Sequence, residues 1–556
     1  MTNLKEKIKS LPKTKDWINY ISNMDRQRLV FTIFCAILFI LTAYWTFNRG
    51  ICYFNSDTAS LSLYVREQIH ERSFFPKGWL YGNELNFVTP HLLILPLSLL
   101  HIPAYICRQI TDVIFMAILL VSVVYITRKI FNFNTSIITN IFLFSGISST
   151  YVIFLYAQAS YASIFFITFF AVGLFFESIT ESLNIQSKRK FILFLFMVAF
   201  TSLNGFRYFE LFTIPLILAL LTYVFFEDYF ENPSSLLMFK NIKNIIFLMG
   251  LCMFVGYSGY TLLSKQFSLD NSVFTNIGYT HVEYILDNMA KFFKTFLSIS
   301  GYQGGAMTSL LSLGGITCII KLFMHLLFSI LFPLLLAKRY YTLPYKIKLF
   351  LWYCAWNMLI IFIISVFTSF LSNVDNYDRY IIFQTVLLYM LGAYYVSVYC
   401  IEKKRKIVTM FSTCCIIIFC TLSVYQLYTV YGTKDAAKQQ LENYHSLLSV
   451  LEENNLSFGY STFWHSHTFS VMSNYDIEIA PITLSSTETQ PFPYLSSSRV
   501  YEEDYYTGST FLMMLETENS EYIGDRIPSG VTKTIRHNDY IIYVFDYNFN
   551  GKLMFY

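Results

Sequence analysis

Two short stretches, Asn204-Gly-Phe-Arg207-Tyr208-Phe209 and Asn376-Tyr-Asp378-Arg379-Tyr380-Ile381, repeat an Asn-x-x-Arg-Tyr pattern, and each opens a long apolar run. A guanidinium in the first turn of a helix adds a fork of N–H donors to the free backbone N–H groups and the positive end of the helix dipole. Such a combination suits a phosphate. Arg108 opens a third apolar run in the same way. The plainer reading is an anchor, with the aliphatic stem buried and the charge snorkelling to lipid headgroups. Repetition of the pattern favours the phosphate reading for Arg207 and Arg379, with Tyr208 and Tyr380 as hydrogen-bond partners.

A carboxylate is the complement such a site needs. Asp57 lies in Phe54-Asn55-Ser56-Asp57-Thr58-Ala59-Ser60, just after the first apolar run. The residues that follow read as an amphipathic helix lying on the outer leaflet. Leu61, Tyr64, Val65 and Ile69 share one face, and Arg66, Glu67, His70 and Glu71 the other. Ser56 or Asp57 would serve as its N-cap. Asp57 would equally serve as a general base held where a lipid headgroup meets water. The two readings are compatible.

The elements that must hold these residues are membrane spans. Of 556 residues, 55% are hydrophobic and only 14% charged, with a mean hydropathy of +0.46. Repeated apolar runs fit the roughly 20 residues a helix needs to cross the hydrocarbon. The first 29 residues are polar and basic with no cleavable signal pattern, so the first span is expected to stay in the protein.

Basic loops collect on the cytoplasmic side, and they set the orientation. The N-terminal segment, Arg128-Lys129, Lys188-Arg189-Lys190, Lys240 with Lys243, Lys338-Arg339 with Lys346 and Lys348, and Lys403-Lys404-Arg405-Lys406 are the clusters to place inside. All fall there if about eleven spans are drawn, at 30–47, 108–127, 137–155, 160–177, 191–204, 207–226, 245–263, 309–337, 349–370, 379–400 and 407–429. The C-terminus is then outside. The run 89–106, with Pro90, Pro96 and Pro103, is expected to lie in or dip into the outer leaflet, because counting it as a span inverts every later loop. Lys321 and His325 suggest that the span within 309–337 starts late, after an interfacial stretch.

This topology leaves three outward regions: 48–107, 264–308 with an interfacial helix near 281–296, and the tail 431–556. The tail differs in kind. It carries 7 Lys+Arg against 16 Asp+Glu, no cysteine, and alternating stretches such as Tyr540-Ile-Ile-Tyr-Val-Phe545. The expected fold class is an all-α polytopic membrane domain over 30–430, preceded by a cytoplasmic segment 1–29 and followed by one small extracytoplasmic soluble α/β domain.

Other residues invite a role. Trp79, Tyr81 and Glu84 sit in a Gly-rich part of the first loop, where aromatic faces and a carboxylate could hold a sugar; the plain alternative is an interfacial aromatic anchor. His91 and Lys77 lie nearby. In the tail, Trp464 reads as core or as a sugar contact. His465-Ser-His467 has ligand-like spacing for a strand, but two ligands make a weak metal site. Cys52 and Cys107 both fall on the outer side, where a disulfide could form. There is no P-loop, no dinucleotide fingerprint and no basic nucleic-acid arm, which disfavours ATP, nucleotide-sugar and nucleic-acid chemistry.

Taken together, an acidic residue after the first span, a long loop with interfacial helices, and arginines at later outer helix ends resemble the GT-C class of integral-membrane glycosyltransferases. The likeness is greatest to the phage and prophage serotype-converting O-antigen glucosyltransferases. It rests on Asn55-Ser-Asp57-Thr, Gly78-Trp-Leu-Tyr-Gly-Asn-Glu84, Asn204-Gly-Phe-Arg207-Tyr, Phe458-Gly-Tyr-Ser-Thr-Phe-Trp464 and Val471-Met-Ser-Asn474. It is spread over most of the chain, more architecture than fixed motif. It implies transfer of a hexose, glucose in that group, from undecaprenyl phosphate to a lipid-linked polysaccharide on the outer face of a bacterial inner membrane. Asp57 would be the base, Arg207, Arg379 and Arg108 with Tyr208 and Tyr380 would hold the donor phosphate, and Trp79, Tyr81, Glu84, His91 and Trp464 would face sugar or acceptor. The paired adjacent acidic residues of some GT-C relatives are missing, so no cofactor is called for and a divalent metal stays open. A small flippase and a donor-synthesising glycosyltransferase would be companions. The rival readings are an O-antigen polymerase or ligase, and a flippase or transporter of lipid-linked saccharides.

Overall fold

The computed structural model describes residues 26–82, 84–85, 87–231, 235–267, 269, 277–302, 309, 311–373, 377–402, 406–524, 526 and 528–555. The readings placed on residues 1–25, Asn376 and Lys403-Lys404-Arg405 lie outside them.

Among the described residues, nine helices are long and apolar enough to cross a membrane: Arg28–Tyr53, Ala104–Ile130, Ser160–Ser178, Phe209–Glu227, Met238–Ser264, Leu313–Ala337, Tyr345–Phe367, Ile382–Cys400 and Thr409–Glu453. The protein is a polytopic membrane protein with a C-terminal sheet domain. Two of the expected spans take a shorter form. The run near 137–155 is broken into Phe133–Leu143 and a turn starting at Ser149, because Gly146 adopts φ +70° and Ser148 caps the second piece through Tyr151 N–H. The run near 191–204 forms Lys188–Ser202, 15 residues, which spans about 22 Å at 1.5 Å per residue.

Contacts gather the basic helix ends. Glu177 accepts from Lys129 at 2.7 Å and pairs with Lys190, and Tyr125 donates to it at 2.8 Å. Lys346 donates to the Lys129 carbonyl at 2.9 Å, and Lys348 pairs with Glu227 at 2.8 Å. The loops that carry positive charge therefore share one end of the bundle, as the charge pattern requires.

Lys321 and His325 correct one expectation. The helix Leu313–Ala337 is continuous through both, because neither faces lipid. The Lys321 ammonium donates to Gln426 Oε1 at 2.5 Å, and His325 Nδ1 hydrogen-bonds the Tyr389 hydroxyl at 2.8 Å. Internal partners satisfy the polar groups, which lets the helix cross without delay.

At the other end, the first loop forms the helix Ser56–Glu71 and then His91–Leu99, nine residues and too short to cross. Within the second loop, Ile285–Ser298 turns Phe292 and Phe296 inward and Leu286 and Phe293 outward.

The tail begins with the helix Lys434–Glu453 and builds a seven-stranded sheet, order β7-β8-β6-β2-β3-β4-β9. The strands are β2 Phe458–Thr462, β3 Glu478–Leu484, β4 Glu488–Pro491, β6 Thr510–Leu515, β7 Lys533–His537, β8 Tyr540–Phe545 and β9 Leu553–Met554. β2 runs parallel to β3 and β6; the other pairings are antiparallel. Period-two alternation builds a core on each face. Phe511, Met513 and Ile542 meet Leu447, Leu451 and Phe469 of the covering helices. Leu512, Met514 and Tyr543 join Tyr460 and Phe549 on the opposite face.

This domain is docked on the first loop, which changes the reading of that loop. β1 (Trp79–Leu80) pairs with β5 (Ser496–Ser497), and the helix Phe463–Met472 packs on Ser56–Glu71. Glu67, assigned to a solvated face, is buried. It accepts two hydrogen bonds from Arg499, both at 2.8 Å, while Arg66 pairs with Glu478 at 2.9 Å. Within the polar stripe of this helix, Glu67 faces protein while His70 stays exposed.

Candidate functional site

The end of the bundle opposite the lysines encloses a cavity of about 220 Å³. Asp57, Glu84, Arg108, Arg207, Tyr208, Arg379 and Tyr380 all line it, drawn from residues more than 300 positions apart. Ser160, Tyr161 and, from the tail, Tyr494 and Leu495 complete the wall.

Asp57 owes its freedom to its neighbour. Asn55 is the N-cap, its Oδ1 accepting from Thr58 N–H at 3.1 Å and from the Thr58 hydroxyl at 3.0 Å. That corrects the assignment of the cap to Ser56 or Asp57. With the cap filled, the Asp57 carboxylate accepts no hydrogen bond among the described residues, yet it stands in the first helical turn, where the dipole favours an anion. Burial raises its pKa above the ordinary carboxylate value, and the Arg379 guanidinium acts in the opposite direction.

Arg379 sits in the turn Tyr377–Tyr380. Its guanidinium lies over Tyr380 at 5.1 Å and Phe154 at 5.7 Å, and its Nε is buried without a described partner. Thr150 donates to the Asp378 carboxylate, which fixes the turn. Arg207 follows a sharp break at Gly205, whose φ of +91° few other residues adopt. Its Nε pairs with Glu84 Oε1 at 3.1 Å, and Asn204 donates to Glu84 Oε2 at 3.1 Å. Burial works against the Arg207 charge, but Glu84 and the surrounding tyrosines outweigh it and its pKa is raised. Its guanidinium also lies over Tyr161 at 5.2 Å and Tyr380 at 5.9 Å. One ring, Tyr380, thus contacts both guanidinium groups.

Arg108 is 1% exposed. It pairs with Asp112 at 3.1 Å and donates to the Gln158 carbonyl, so its charge is already compensated. Glu84 is likewise held by Arg207 and Asn204. Asp57 is the carboxylate of this wall with no committed hydrogen bond among the described residues.

The remaining sequence candidates fall elsewhere. Trp79, Tyr81 and His91 form an aromatic floor around Tyr64, with ring centroids 5.4, 5.8 and 5.3 Å from it. The Tyr81 hydroxyl donates to the Pro76 carbonyl at 3.0 Å, and His91 Nδ1 bonds the Thr89 hydroxyl at 2.6 Å. These three support the loop and do not line the cavity. Trp464 lies on the tail and is exposed. His465 and His467 lie on a helix rather than a strand, so their spacing turns them apart: His465 meets the Tyr540 hydroxyl at 3.1 Å, and His467 is buried against Phe463. All ten cysteines, Cys52 and Cys107 included, are free thiols.

Sequence reasoning missed Gln158, Ser160, Tyr161 and Tyr494. The first three lie at a polar interruption, Gln158-Ala-Ser160-Tyr161, between two apolar runs, with Ala159 at φ +50°. That break was a readable signal. Tyr494 had none, because its approach to the cavity depends on docking of the tail. No group of three or more His, Cys, Asp or Glu is gathered among the described residues, and Asp57 faces a guanidinium instead of a second carboxylate.

Fold and site together define a multi-pass membrane protein with a basic, carboxylate-bearing cavity between its helix ends and a docked sheet domain. No family model and no curated protein matches the chain. Among solved structures it is similar to the archaeal oligosaccharyltransferase AglB from Archaeoglobus fulgidus. The form in complex with an inhibitory peptide and a dolichol-phosphate is 11% identical over 89% of this chain and 70% of that one, with a TM-score of 0.46. A complex of the Archaeoglobus fulgidus oligosaccharyltransferase with Zn and sulfate is 12% identical over 88% and 68%, TM-score 0.46. The form tethered with an acceptor peptide is 10% identical over 88% and 69%, TM-score 0.45.

Proposed function

We propose that the protein is a GT-C-type glycosyltransferase that moves a hexose from undecaprenyl phosphate to a lipid-linked polysaccharide on the outer face of a bacterial inner membrane. The observation that carries this reading is the cavity wall itself, where an uncommitted carboxylate, Asp57, stands with two guanidinium groups at the bundle end away from the basic loops. In this reading residues 1–29 are cytoplasmic, 30–430 form the membrane domain, and 431–556 lie outside.

The chemistry follows from the donor. A polyprenyl phosphate is a good leaving group, so no acid is needed to protonate it. Asp57 takes the proton of an acceptor hydroxyl, and that oxygen forms a bond to the anomeric carbon. The bond from that carbon to the phosphate oxygen breaks, and the electron pair leaves with the phosphate. Arg207 and Arg379 stabilise the charge that develops there, with Tyr208 and Tyr380 beside them. Desolvation makes Asp57 a stronger base than a surface carboxylate, which suits proton abstraction. Displacement in one step inverts the anomeric configuration.

The test is transfer by purified protein in lipid vesicles. Label from an undecaprenyl-phosphate hexose is expected to reach a polysaccharide acceptor, while a nucleotide-sugar donor gives none. Transfer from the nucleotide sugar alone contradicts the reading.

A further inference from the structure

Trp464 is 57% exposed, and its indole is neither core nor hydrogen-bonded to any described residue. It leans on Phe463 at 5.3 Å between ring centroids, and Phe463 is buried. The same Phe463 supports Phe492 at 5.6 Å and Tyr494 at 5.6 Å, and those two rings are 5.7 Å apart. One buried ring therefore touches three aromatic side chains, Trp464 from its own helix and Phe492 and Tyr494 from the loop after β4. The cluster reaches the cavity through Tyr494, which with its neighbour Leu495 is part of the cavity wall. Gly82 of the first loop lies beside both: a Cβ built there would meet the Tyr494 ring and Leu495 at ordinary contact distance, 3.5 Å.

Resting on the proposed transfer reaction, we infer that Trp464, Phe492 and Tyr494 form an acceptor subsite that stacks uncharged pyranose rings of the polysaccharide beyond the reacting sugar. Aromatic faces present a large, rigid, apolar and weakly negative surface, which matches the C–H-bearing face of a hexose ring. A membrane anchor is the other use for an exposed indole at such a place. The tail does not carry the basic residues that usually accompany such an anchor: it holds 16 acidic against 7 basic residues. The same acidity argues for a neutral saccharide over an acidic one. Tyr494 would guide the chain from this platform into the cavity, so the acceptor arrives over the tail while the donor arrives from the bilayer.

The experiment uses full-length protein in vesicles and oligosaccharides released by mild acid from the host's own surface polysaccharide, one repeat and three repeats long. Trp464→Ala is expected to raise the KM for the three-repeat acceptor roughly five- to tenfold and leave the donor KM unchanged. Trp464→Phe should retain most of the affinity, and the one-repeat acceptor should show a smaller penalty. An unchanged acceptor KM in Trp464→Ala, with transfer otherwise intact, overturns the platform. Quenching of the Trp464 fluorescence by brominated lipid would make it a membrane anchor and overturn it equally. If wild type shows no transfer at all, the reaction is what fails. The platform is then judged by direct binding, as a fluorescence change with three-repeat oligosaccharide that Trp464→Phe loses; absence of that change overturns it.

Discussion

The two ends of the helical bundle are both rich in charge, and they use it in opposite ways. At one end Lys129 and Lys190, 32% and 43% exposed, share Glu177, and Lys348 takes Glu227. Glu177 and Glu227 are both matched there, no described cavity lies between the partners, and the paired cations are ammonium groups on flexible stems. At the other end the cations are guanidinium groups. Arg207 is 16% exposed, flanked by aromatic rings and turned towards a cavity. Its Glu84 partner leaves Asp57 as the uncommitted anion among the described wall residues. The lysine end reads as orientation and cohesion, the arginine end as a site kept open for a ligand. Paired surface charge stabilises little, whereas a desolvated charge without a full partner is costly and calls for a use.

The contrast can be broken by substitutions at each end. The largest effect is expected for Asp57→Asn, which should lower transfer about 10²- to 10⁴-fold. Because Asn55 carries the cap, the helix should stay intact, and circular dichroism and thermal unfolding check this. Next come Arg207→Gln and Arg379→Gln, each expected to lower kcat about 10²- to 10³-fold, since the developing phosphate charge strengthens the interaction in the transition state. The lysine variants should be intermediate, because they keep charge and lose the planar fork. Saturating donor separates the outcomes: if all four variants then behave like wild type, both arginines are lipid anchors.

A smaller effect is a shift in pH dependence. Asp57 must be ionised to act, and burial raises its pKa above 3.8 while Arg379 lowers it. Activity should therefore rise with pH through that raised value, and Arg379→Gln should move the acid limb to higher pH. Stability carries the opposite sign. The folded protein holds the Asp57 proton more tightly than the unfolded chain, so this group's contribution is favourable below 3.8 and is lost as pH rises through the folded pKa. Asp57→Asn should then unfold at a slightly higher temperature than wild type at neutral pH. The smallest effect belongs to the other end. Glu177→Gln should cost about 1 kcal/mol of stability and leave the specific activity of the folded protein unchanged.

The sequence made the arginine end legible because membrane topology makes misplaced arginines conspicuous. Arg207, Arg379 and Arg108 stood at the ends where positive-inside counting leaves few cations, and Asp57 followed the first span. The structure gathers all four around one cavity. What could not be read was tertiary docking. Glu67 looked like a solvated residue of an amphipathic stripe, and only the docked tail, through Arg499, explains its burial. Trp79, Tyr81 and His91 had the residue types of a sugar site but pack as a floor around Tyr64, since periodicity does not say which side of a loop faces a ligand. Lys321 and His325 looked like a late helix start because their partners, Gln426 and Tyr389, are more than 60 residues away.

One carboxylate and direct displacement are the centre of the account, and stereochemistry tests them most directly. Purified protein in vesicles would receive an undecaprenyl-phosphate hexose of known anomeric configuration and a polysaccharide acceptor, and the new linkage would be assigned by nuclear magnetic resonance. A single base at Asp57 predicts a product whose anomeric configuration is inverted relative to the donor. Retention would exclude direct in-line displacement and would contradict the assignment of Asp57 as the base of such a step.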